Sequence, residues 1–282
     1  MIKIVSDSTC DLSKELVEKY DIQIAPLHIV LGDKEYLDGV GVTPDEIYAW
    51  ADANDDIPKT SAVSFEETTN IIKQIVDTDD EMIIFTISGK MSTTLTVCRM
   101  VVEELGLEDR VNVIDSENLS TGVGLLVLKA ASMVKEGKSR AEICEAVEAL
   151  KEKVRASFVV DTLTYLHRGG RCNSVAALAG GVLKLHPKIV VSEGAMVSDK
   201  KYRGKMDKVI LEYVKDMEKA LLNADNSCVF ITHSGCDQEM IDAVYAYLSD
   251  LNYFKEILVT RAGGVISSHC GPGTLGVLYI DN

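Results

Sequence analysis

Short apolar runs alternate with longer segments of helical periodicity along the whole chain. The runs 2–5, 82–85 and 111–114 are almost wholly apolar, which is typical of strands buried on both faces of a parallel sheet. Later runs predict further strands at 158–160, 228–231, 257–260 and 276–280, and a hairpin over 188–197. Helices are predicted at 12–20, 44–54, 65–77, 122–135, 139–154 and 207–223, with others ending near 105 and starting near 237. This alternation predicts an α/β fold with largely parallel sheets.

Hydroxyl-rich turns follow several of these strands. Thr60 and Ser61 precede the helix at 65–77, where Ser64 and Glu67 form a predicted capping box. Residues 88–94 lead from a strand into a helix, and such a turn offers hydroxyls, backbone N–H groups and a positive helix end to an anion. Simple N-capping is the alternative role for these hydroxyls. Ligands of α/β folds collect beyond the carboxyl ends of strands, so we expect a site there.

A glycine turn flanked by arginines follows the strand at 158–160. Arg168 and Arg171 surround Gly169 and Gly170, which can adopt positive φ and let the backbone approach a ligand. The guanidinium group suits carboxylate or phosphate, so the turn indicates an oxyanion site. A surface turn with two solvated arginines is the alternative.

Charge is distributed unevenly along the chain. Residues 163–208 hold three acids and nine basic residues, a local charge of +6 in a protein of net charge −15. A positive region on an acidic protein suggests an anionic ligand or an acidic partner. The acidic total argues against binding to nucleic acid or stable membrane association. The basic residues are Arg168, Arg171, Lys184, Lys188, Lys200, Lys201, Arg203, Lys205 and Lys208.

Length and composition are those of a folded globular protein. The 282 residues are 46% hydrophobic and 26% charged, enough for one large or two ordinary domains. We place a boundary near Ser157, giving domains 1–157 and 158–282 with the ligand site between them. No segment approaches the roughly 20 apolar residues of a membrane span, and the chain begins directly with a strand pattern, so no signal peptide is expected. Seven scattered cysteines without a Cys-x-x-Cys pair suggest reduced thiols in the cytoplasm.

Enzyme motifs are not recognisable. The chain has no phosphate-binding loop, the pair Gly122 and Gly124 lacks the third glycine of a dinucleotide fingerprint, and no metal cluster is evident. Ser, His and Asp residues are available for a hydrolase, yet no nucleophile elbow contains them. His233 and His269 both lie in predicted turns, where a hydrogen-bonding role is the commoner one. We therefore assign no catalytic residue, cofactor or metal.

Five motifs together resemble the DegV family of bacterial fatty-acid-binding proteins. They occur in order at 6–9 (Ser-Asp-Ser-Thr), 60–61 (Thr-Ser), 88–94, 165–171 (Tyr-Leu-His-Arg-Gly-Gly-Arg) and 269–273 (His-Cys-Gly-Pro-Gly). The resemblance spans the whole chain. It implies a two-domain α/β protein that holds one long-chain fatty acid in an apolar tunnel. It also implies that the carboxylate is presented to a separate fatty acid kinase, which forms the acyl phosphate used in phospholipid synthesis.

The resemblance also assigns roles to residues. Thr60 and Ser92 would bond the carboxylate, with Ser61 and Thr93 beside them, and His269 would join this network. Arg171 and Arg203 would serve the phosphate or the docking of the kinase.

Two departures from the family pattern concern this site. The family commonly has Thr-Ser-Gln-Pro-Ser where this chain has Ala62 and Val63 after Thr60-Ser61. In the second motif Thr93 replaces a glycine, and a β-branched residue does not readily adopt positive φ, so a different loop shape is expected. Lys90 adds a charge close to the expected head group. These departures leave two alternative functions open. The protein could carry another amphipathic anion, or it could be an acyl hydrolase or transferase that uses Ser92 and His269.

A fatty-acid tail would supply most of the affinity. A buried methylene contributes about 0.8 kcal/mol, so a tail of roughly fifteen methylenes contributes on the order of 12 kcal/mol before ordering costs. Residues 175–185 are rich in Ala and Gly, which permits either close helix packing or space for an apolar ligand.

Overall fold

A computed structural model describes residues 1–172 and 185–282. In these residues the strands are β1 (Ile2–Asp7), β2 (Ile22–Ala25), β3 (His28–Leu31), β4 (Lys34–Leu37), β5 (Lys59–Ser61), β6 (Glu81–Thr86), β7 (Val111–Asp115), β8 (Val154–Val159), β9 (Leu185–Ser192), β10 (Ala195–Arg203), β11 (Ala224–His233), β12 (Glu256–Arg261) and β13 (Leu275–Asp281). The strands form three sheets, with orders β2-β1-β6-β7, β4-β3-β5 and β10-β9-β8-β13-β11-β12.

The helices of the described residues connect and cover these sheets. They are α1 (Lys14–Tyr20), α2 (Pro44–Asn54), α3 (Phe65–Ile72), α4 (Thr94–Leu105), α5 (Thr121–Lys135), α6 (Arg140–Lys151), α7 (Thr164–Gly169), α8 (Met206–Asp216), α9 (Glu218–Leu221), α10 (Gln238–Asp250) and α11 (Gly264–Cys270). The predicted α/β fold is confirmed. None of these helices is long and apolar enough to cross a bilayer.

The first sheet is parallel throughout, as the apolar runs predicted. Its central strands β1 and β6 are mostly buried, since helices cover them. Helices α2 and α3 start at the predicted residues because capping boxes fix them, with Thr43 and Glu46 in one and Ser64 and Glu67 in the other. The carboxyl ends of β1 and β6 therefore open onto the hydroxyl-rich turns that the sequence indicated.

The second sheet corrects the expectation of largely parallel sheets. Only β11 and β12 run parallel, and every other neighbouring pair is antiparallel. Strands β9 and β10 are joined through Glu193 and Gly194, both with positive φ, and a two-residue turn of this kind can only join antiparallel strands. Strand β13 returns between β8 and β11.

Helix α5 joins the two large sheets into one core. Ten of its fifteen residues are buried, because it packs on β1 and β6 from one side and on β8 and β13 from the other. Apolar residues occur around most of the circumference of α5, as expected for a helix that is covered by protein on opposite sides. Side chains from both sheets share this core, including Phe85 and Phe230.

Several predicted boundaries differ from the structure. The helix predicted at 65–77 ends at Ile72, and the helix predicted at 207–223 is divided into α8 and α9. The helix predicted to end at 154 ends at Lys151, and the strand predicted at 158–160 is β8, which begins at Val154. Ser157, the proposed domain boundary, lies inside β8 and pairs with strands of the second sheet. A division before β8 keeps that sheet whole, and we propose that the second unit starts there.

Helix α11 corrects a larger error, since the sequence predicted a loop from Thr260 to the last strand. Glycines disfavour a helix, and Gly263 and Gly264 open this one. Tertiary contacts override the propensity. A side chain at Gly264 would lie 2.4 Å from Ile29 Cδ1 and 2.9 Å from Ile47 Cδ1, so only glycine lets the helix approach β3 and α2 this closely.

Candidate functional site

A cavity of about 450 Å³ lies where elements of the first sheet, the three-stranded sheet and the six-stranded sheet meet. Its walls come from β5, from the turn after β6, from α11, from Arg171 beyond α7 and from Met196 of β10. Six of the seven predicted site residues line it: Thr60, Ser61, Ser92, Thr93, Arg171 and His269. Arg203 lies elsewhere, exposed at the end of β10.

Thr60 and His269 form the central polar contact of this cavity. Pairing of β5 with β3 places Thr60 opposite Ile29, and its Oγ1 lies 2.8 Å from His269 Nε2 on α11. Burial lowers the pKa of His269 to about 4, and the nearby charge of Arg171 contributes in the same direction. The imidazole is therefore neutral at pH 7. Its Nδ1 is buried and has no hydrogen-bond partner among the described residues.

The other end of α11 is held by two buried carboxylates that the sequence analysis did not single out. Asp11 Oδ1 accepts from the Gly263 amide at 2.8 Å, and Asp38 Oδ1 accepts from the Gly264 amide at 2.7 Å. Their second oxygens accept from the hydroxyls of Ser120 and Ser8. The helix that carries His269 is thus fixed at its N-terminus by residues from the first part of the chain.

Burial favours the protonated form of the aspartates near this end of α11. It raises the pKa of Asp11 to about 8 and that of Asp7 to about 6, with smaller repulsive contributions from Asp38. Burial raises the pKa of Asp38 too. Asp7 accepts from the Ile87 amide at 2.7 Å, which ties the end of β1 to the turn that lines the cavity.

The turn at 87–93 is built by its own hydroxyls. Ser88 donates to the Gly194 carbonyl at 2.6 Å, which attaches the turn to the β9–β10 hairpin. Ser92 Oγ lies 3.0 Å from Thr94 Oγ1 and accepts from the Thr94 amide, so Ser92 also supports the start of α4. Thr93 has φ −84° and ψ 1°, a conformation open to any residue. Its replacement of a glycine therefore imposes no strain in this turn.

The other departures have separate places in the structure. Ala62 lines the cavity, whereas Val63 is buried in the core of the first sheet. Lys90 is exposed and lines the cavity beside Met91. The charge predicted near the head group is therefore present at the cavity mouth.

The arginine turn that the sequence singled out is only partly at the site. Gly170 ends α7 with φ 68°, and Arg171 Nη1 donates to the Gly169 carbonyl at 2.8 Å. Both Arg168 and Arg171 are exposed, and Arg171 lines the cavity whereas Arg168 does not. Gly169 lies against His269, because a side chain there would lie 2.5 Å from Nδ1. The Ala- and Gly-rich stretch 175–185 and Asn173 lie outside the described residues, except Leu185 at the start of β9.

The inner end of the cavity is apolar. A second space of about 20 Å³ lies behind it and shares Leu119, Ile266 and Cys270 with the main cavity. Phe158 and Leu278 of the second sheet enclose its far side. Five polar residues also border this space, but their side chains are hydrogen-bonded within the protein: Ser120, Thr232, His233, Ser234 and Thr274. The cavity therefore leads inward towards a space whose free surface is largely apolar.

Residues 200–203 of the basic run continue the edge strand β10 beyond 197, where the predicted hairpin ended. Tyr202 points inward and is buried, whereas Lys201 and Arg203 alternate with it and are exposed. Lys200 pairs with Asp216 of α8. Arg203 is therefore exposed, and the strand also has an inward side that the sequence analysis did not predict.

The contacts do not form a hydrolytic triad. Ser92 bonds Thr94, and His269 bonds Thr60 through Nε2, so the predicted pair of Ser92 and His269 is not hydrogen-bonded. A general base is normally oriented by a third group, and among the described residues His269 Nδ1 has none. Across 1–172 and 185–282, no group of three or more His, Cys, Asp or Glu could hold a metal ion. The arrangement is suited to binding an anion.

Comparisons with known proteins agree with this architecture. A family model described as the DegV family of uncharacterised proteins matches residues 1–282. A DegV domain-containing protein of Deinococcus radiodurans is 32% identical over 276 residues, covering 98% of this chain and 97% of that protein. A fatty-acid-binding DegV family protein of Thermus thermophilus superimposes with a TM-score of 0.92 at 30% identity, covering 100% and 99% of the two chains. A stearic-acid-binding protein of Eubacterium ventriosum superimposes with a TM-score of 0.87 at 30% identity, covering 100% of this chain and 98% of that protein. The chain belongs to the DegV family.

Proposed function

We propose that this protein binds one long-chain fatty acid and holds its carboxylate at the mouth of the cavity. The observation that carries the proposal is the Thr60–His269 pair, which lies with Ser92 at the polar end of a cavity whose inner end is apolar. An amphipathic anion has the same distribution of polarity. The fatty-acid-binding proteins of Thermus thermophilus and Eubacterium ventriosum, at 30% identity over nearly the whole chain, support this ligand.

The head-group contacts follow from the hydrogen-bonding capacity of each side chain. In the proposed complex His269 Nε2 donates to Thr60 Oγ1, which frees the Thr60 hydroxyl proton for a carboxylate oxygen. The Ser92 hydroxyl donates to the carboxylate in place of its contact with Thr94. Arg171, on the same cavity wall, supplies the opposite charge. A neutral imidazole is suited to this position because it donates without adding a second buried charge.

The tail would extend past Leu119 and Ile266 into the small inner space, which must widen to hold it. A main cavity of about 450 Å³ lies in the range of small-molecule sites. Each buried methylene contributes about 0.8 kcal/mol, which exceeds the modest cost of repacking apolar side chains on the way. Affinity then comes from the tail, and orientation comes from the head group.

We further propose that the bound carboxylate is presented to a separate fatty acid kinase. A carboxylate oxygen attacks the terminal phosphorus of a nucleoside triphosphate held by that kinase, and the nucleoside diphosphate leaves as the new P–O bond forms. Exposed Lys201 and Arg203 on β10 offer an acidic partner a basic edge on an otherwise acidic protein. This protein itself carries out no chemical step in the proposed sequence.

Native mass spectrometry of the freshly purified protein tests the ligand. We expect an added mass equal to one fatty acid, lost on denaturation and identified by extraction and chromatography. A retained nucleotide, or a protein that neither retains nor takes up a fatty acid added as a complex with albumin, contradicts the proposal.

A further inference from the structure

Strand β3 carries a histidine whose two ring nitrogens both contact carboxylates. His28 Nε2 lies 2.8 Å from Glu67 Oε2 of α3, and His28 Nδ1 lies 3.0 Å from Glu35 Oε1 of β4. The His28 side chain is 14% exposed, so most of the ring is shielded from water. A neutral imidazole has one N–H and donates to one of these acceptors, whereas an imidazolium donates to both. We refer to His28, Glu35 and Glu67 as the histidine clamp.

Glu67 connects this histidine to the main chain at the start of α3. Its Oε2 accepts from the Ser64 amide at 3.1 Å and from the Ser64 hydroxyl at 2.6 Å, in addition to the His28 contact. Burial opposes the ionised form, but the hydrogen bonds from Ser64 and His28 outweigh it and lower the pKa of Glu67. An ionised carboxylate only accepts, so His28 Nε2 supplies the proton of their contact. A second proton, on Nδ1, is then the one that the contact with Glu35 requires.

The clamp holds both ends of a segment next to the cavity. Ser61 of β5 pairs with His28 across the three-stranded sheet, and the main-chain amide of Ser64 is tied to the same histidine through Glu67. Thr60 and Ser61 line the main cavity, whereas the three residues of the clamp do not. The clamp therefore acts on a ligand only through the strand that presents Thr60 and Ser61.

The charged groups that face the imidazole come from β4, β5 and α3. Glu35 and Lys59 both lie opposite Val30 on the two strands that flank β3, so they share the face of His28. Lys59 is exposed to solvent, which screens its charge, and α3 contributes Glu67. The two groups in contact with the ring are both acceptors, and the doubly protonated ring satisfies both.

We propose that His28 is a positioning residue for the fatty-acid head group, and that its doubly protonated ring closes the clamp and holds Thr60 and Ser61 at the cavity wall. Loss of the Nδ1 proton leaves two acceptors facing each other at Glu35, which loosens β3 and the strand β5 paired with it. Histidine is the side chain that exchanges a proton between pH 5 and 8, so fatty-acid affinity should fall as the pH rises through this range. The inference rests on the proposed function and adds to it a dependence on protons.

Titration of hexadecanoate between pH 6 and 8.5 tests the inference. For the parent protein we expect the affinity to weaken by about threefold to fivefold across this range, the value of a partly exposed charged contact. Glu35→Gln should keep the tighter affinity at pH 8.5, because its side-chain amide donates to Nδ1 of a neutral ring. Glu66→Gln is the matched control, since it removes the same charge from the exposed first turn of α3 and should follow the parent.

A second variant keeps the test independent of Glu35. His28→Gln retains a donor for Glu67 but has no proton to lose in this range, so its affinity should depend less on pH than that of the parent. The ligand, Asp7 and Asp11 titrate in every variant, so the differences between variants report the clamp. Melting temperatures measured at each pH show whether the fold itself changes.

The outcomes distinguish this inference from the proposed function. A parental pH profile in Glu35→Gln or His28→Gln, or an equal flattening by Glu66→Gln, would overturn the role of His28 while leaving fatty-acid binding intact. Melting temperatures that change in parallel with the affinities would mean that the clamp only stabilises the fold, and would overturn the positioning role as well. A parent protein that binds hexadecanoate nowhere in this range would overturn the proposed function instead.

Discussion

The two ends of helix α11 place buried titratable groups in opposite situations. At the N-terminus, Asp11 and Asp38 each accept an amide and a hydroxyl hydrogen bond, and their oxygens are occupied. At the C-terminus, His269 lines the cavity and bonds Thr60 through Nε2, while its buried Nδ1 lies against Gly169 without a hydrogen-bond partner among the described residues. Burial shifts the pKa of all three groups towards the neutral form.

The difference between the two ends of α11 shows how a polar cluster that stabilises the fold can be distinguished from one that binds a ligand. Both clusters are buried and both have shifted pKa values, so neither property distinguishes them. Saturation of hydrogen bonds and adjacency to a cavity do distinguish them. The carboxylates therefore fix the helix, and His269 with Thr60 is available to a ligand. Each of the following experiments acts on one side of this comparison.

The largest effect is expected from Asp38→Ala. The substitution leaves the Gly264 amide and the Ser8 hydroxyl without their acceptor in a buried place, and the free energy of unfolding should fall by about 3 kcal/mol. Chemical denaturation measures it. Asp45→Ala is the control, since Asp45 forms an exposed pair with Arg261 and should cost at most about 1 kcal/mol. Equal costs for the two variants would show that the buried cluster does not fix the helix.

Removal of the Ser92 hydroxyl should weaken fatty-acid binding by one to two orders of magnitude. A hydrogen bond to a charged group contributes about 1.5–3 kcal/mol, and Ser92→Ala removes it without opening the core. Titration with a fatty acid measures the loss. Ser64→Ala is the opposite case, because it removes the cap of α3 away from the cavity and should lower the melting temperature at unchanged affinity. Unchanged affinity of Ser92→Ala removes this serine from the site.

The free energy of unfolding should decrease as the pH rises from 6 to 8. The folded pKa of Asp11, about 8, lies above its unfolded value of 3.8, so the folded state keeps a proton that the unfolded state has released. We expect a decrease of about 1 kcal/mol, less than the full slope of about 1.4 kcal/mol per pH unit, because the N-terminus of α11 favours the charged carboxylate. Asp11→Asn should flatten the profile, and a stability that rises over this window would contradict the assignment.

The smallest effect on ligand binding is expected from Arg203→Ala. The side chain is exposed on β10 and does not line the main cavity, so fatty-acid affinity and melting temperature should stay nearly unchanged. Phosphorylation of the bound fatty acid by its kinase should slow and become less dependent on salt. Arg155→Ala, at an exposed arginine of β8 in the same sheet, is the control. Parental rates across a salt series would place the docking surface elsewhere.

Local patterns in the sequence were sufficient for the first sheet and for much of the cavity. Apolar runs mark β1, β6 and β7, and capping boxes mark α2 and α3, because both signals arise within a few residues. Ser92 was identifiable as a hydroxyl beyond a strand end, whereas Thr60 was predicted in a loop before α3 and lies in strand β5. Both residues line the same cavity.

Long-range contacts explain what the sequence did not predict. An apolar run does not specify strand direction, so the antiparallel pairing of β8 with β13 could not be predicted from either strand. Helix α11 depends on Asp11 and Asp38, which are more than 220 residues away from the amides they accept from. The predicted hairpin ended at 197, but β10 continues to Arg203 as an edge strand, where exposed lysines are common.

The place of β13 has a consequence for the making of this protein. The strand fills the gap between β8 and β11 and pairs with both, so the six-stranded sheet is two separate pieces without residues 275–281. Chains emerge from the ribosome from the N-terminus, and the parallel first sheet is complete once residue 115 is available. During synthesis the second sheet must therefore wait with open strand edges on β8 and β11, which are the surfaces most prone to wrong pairing.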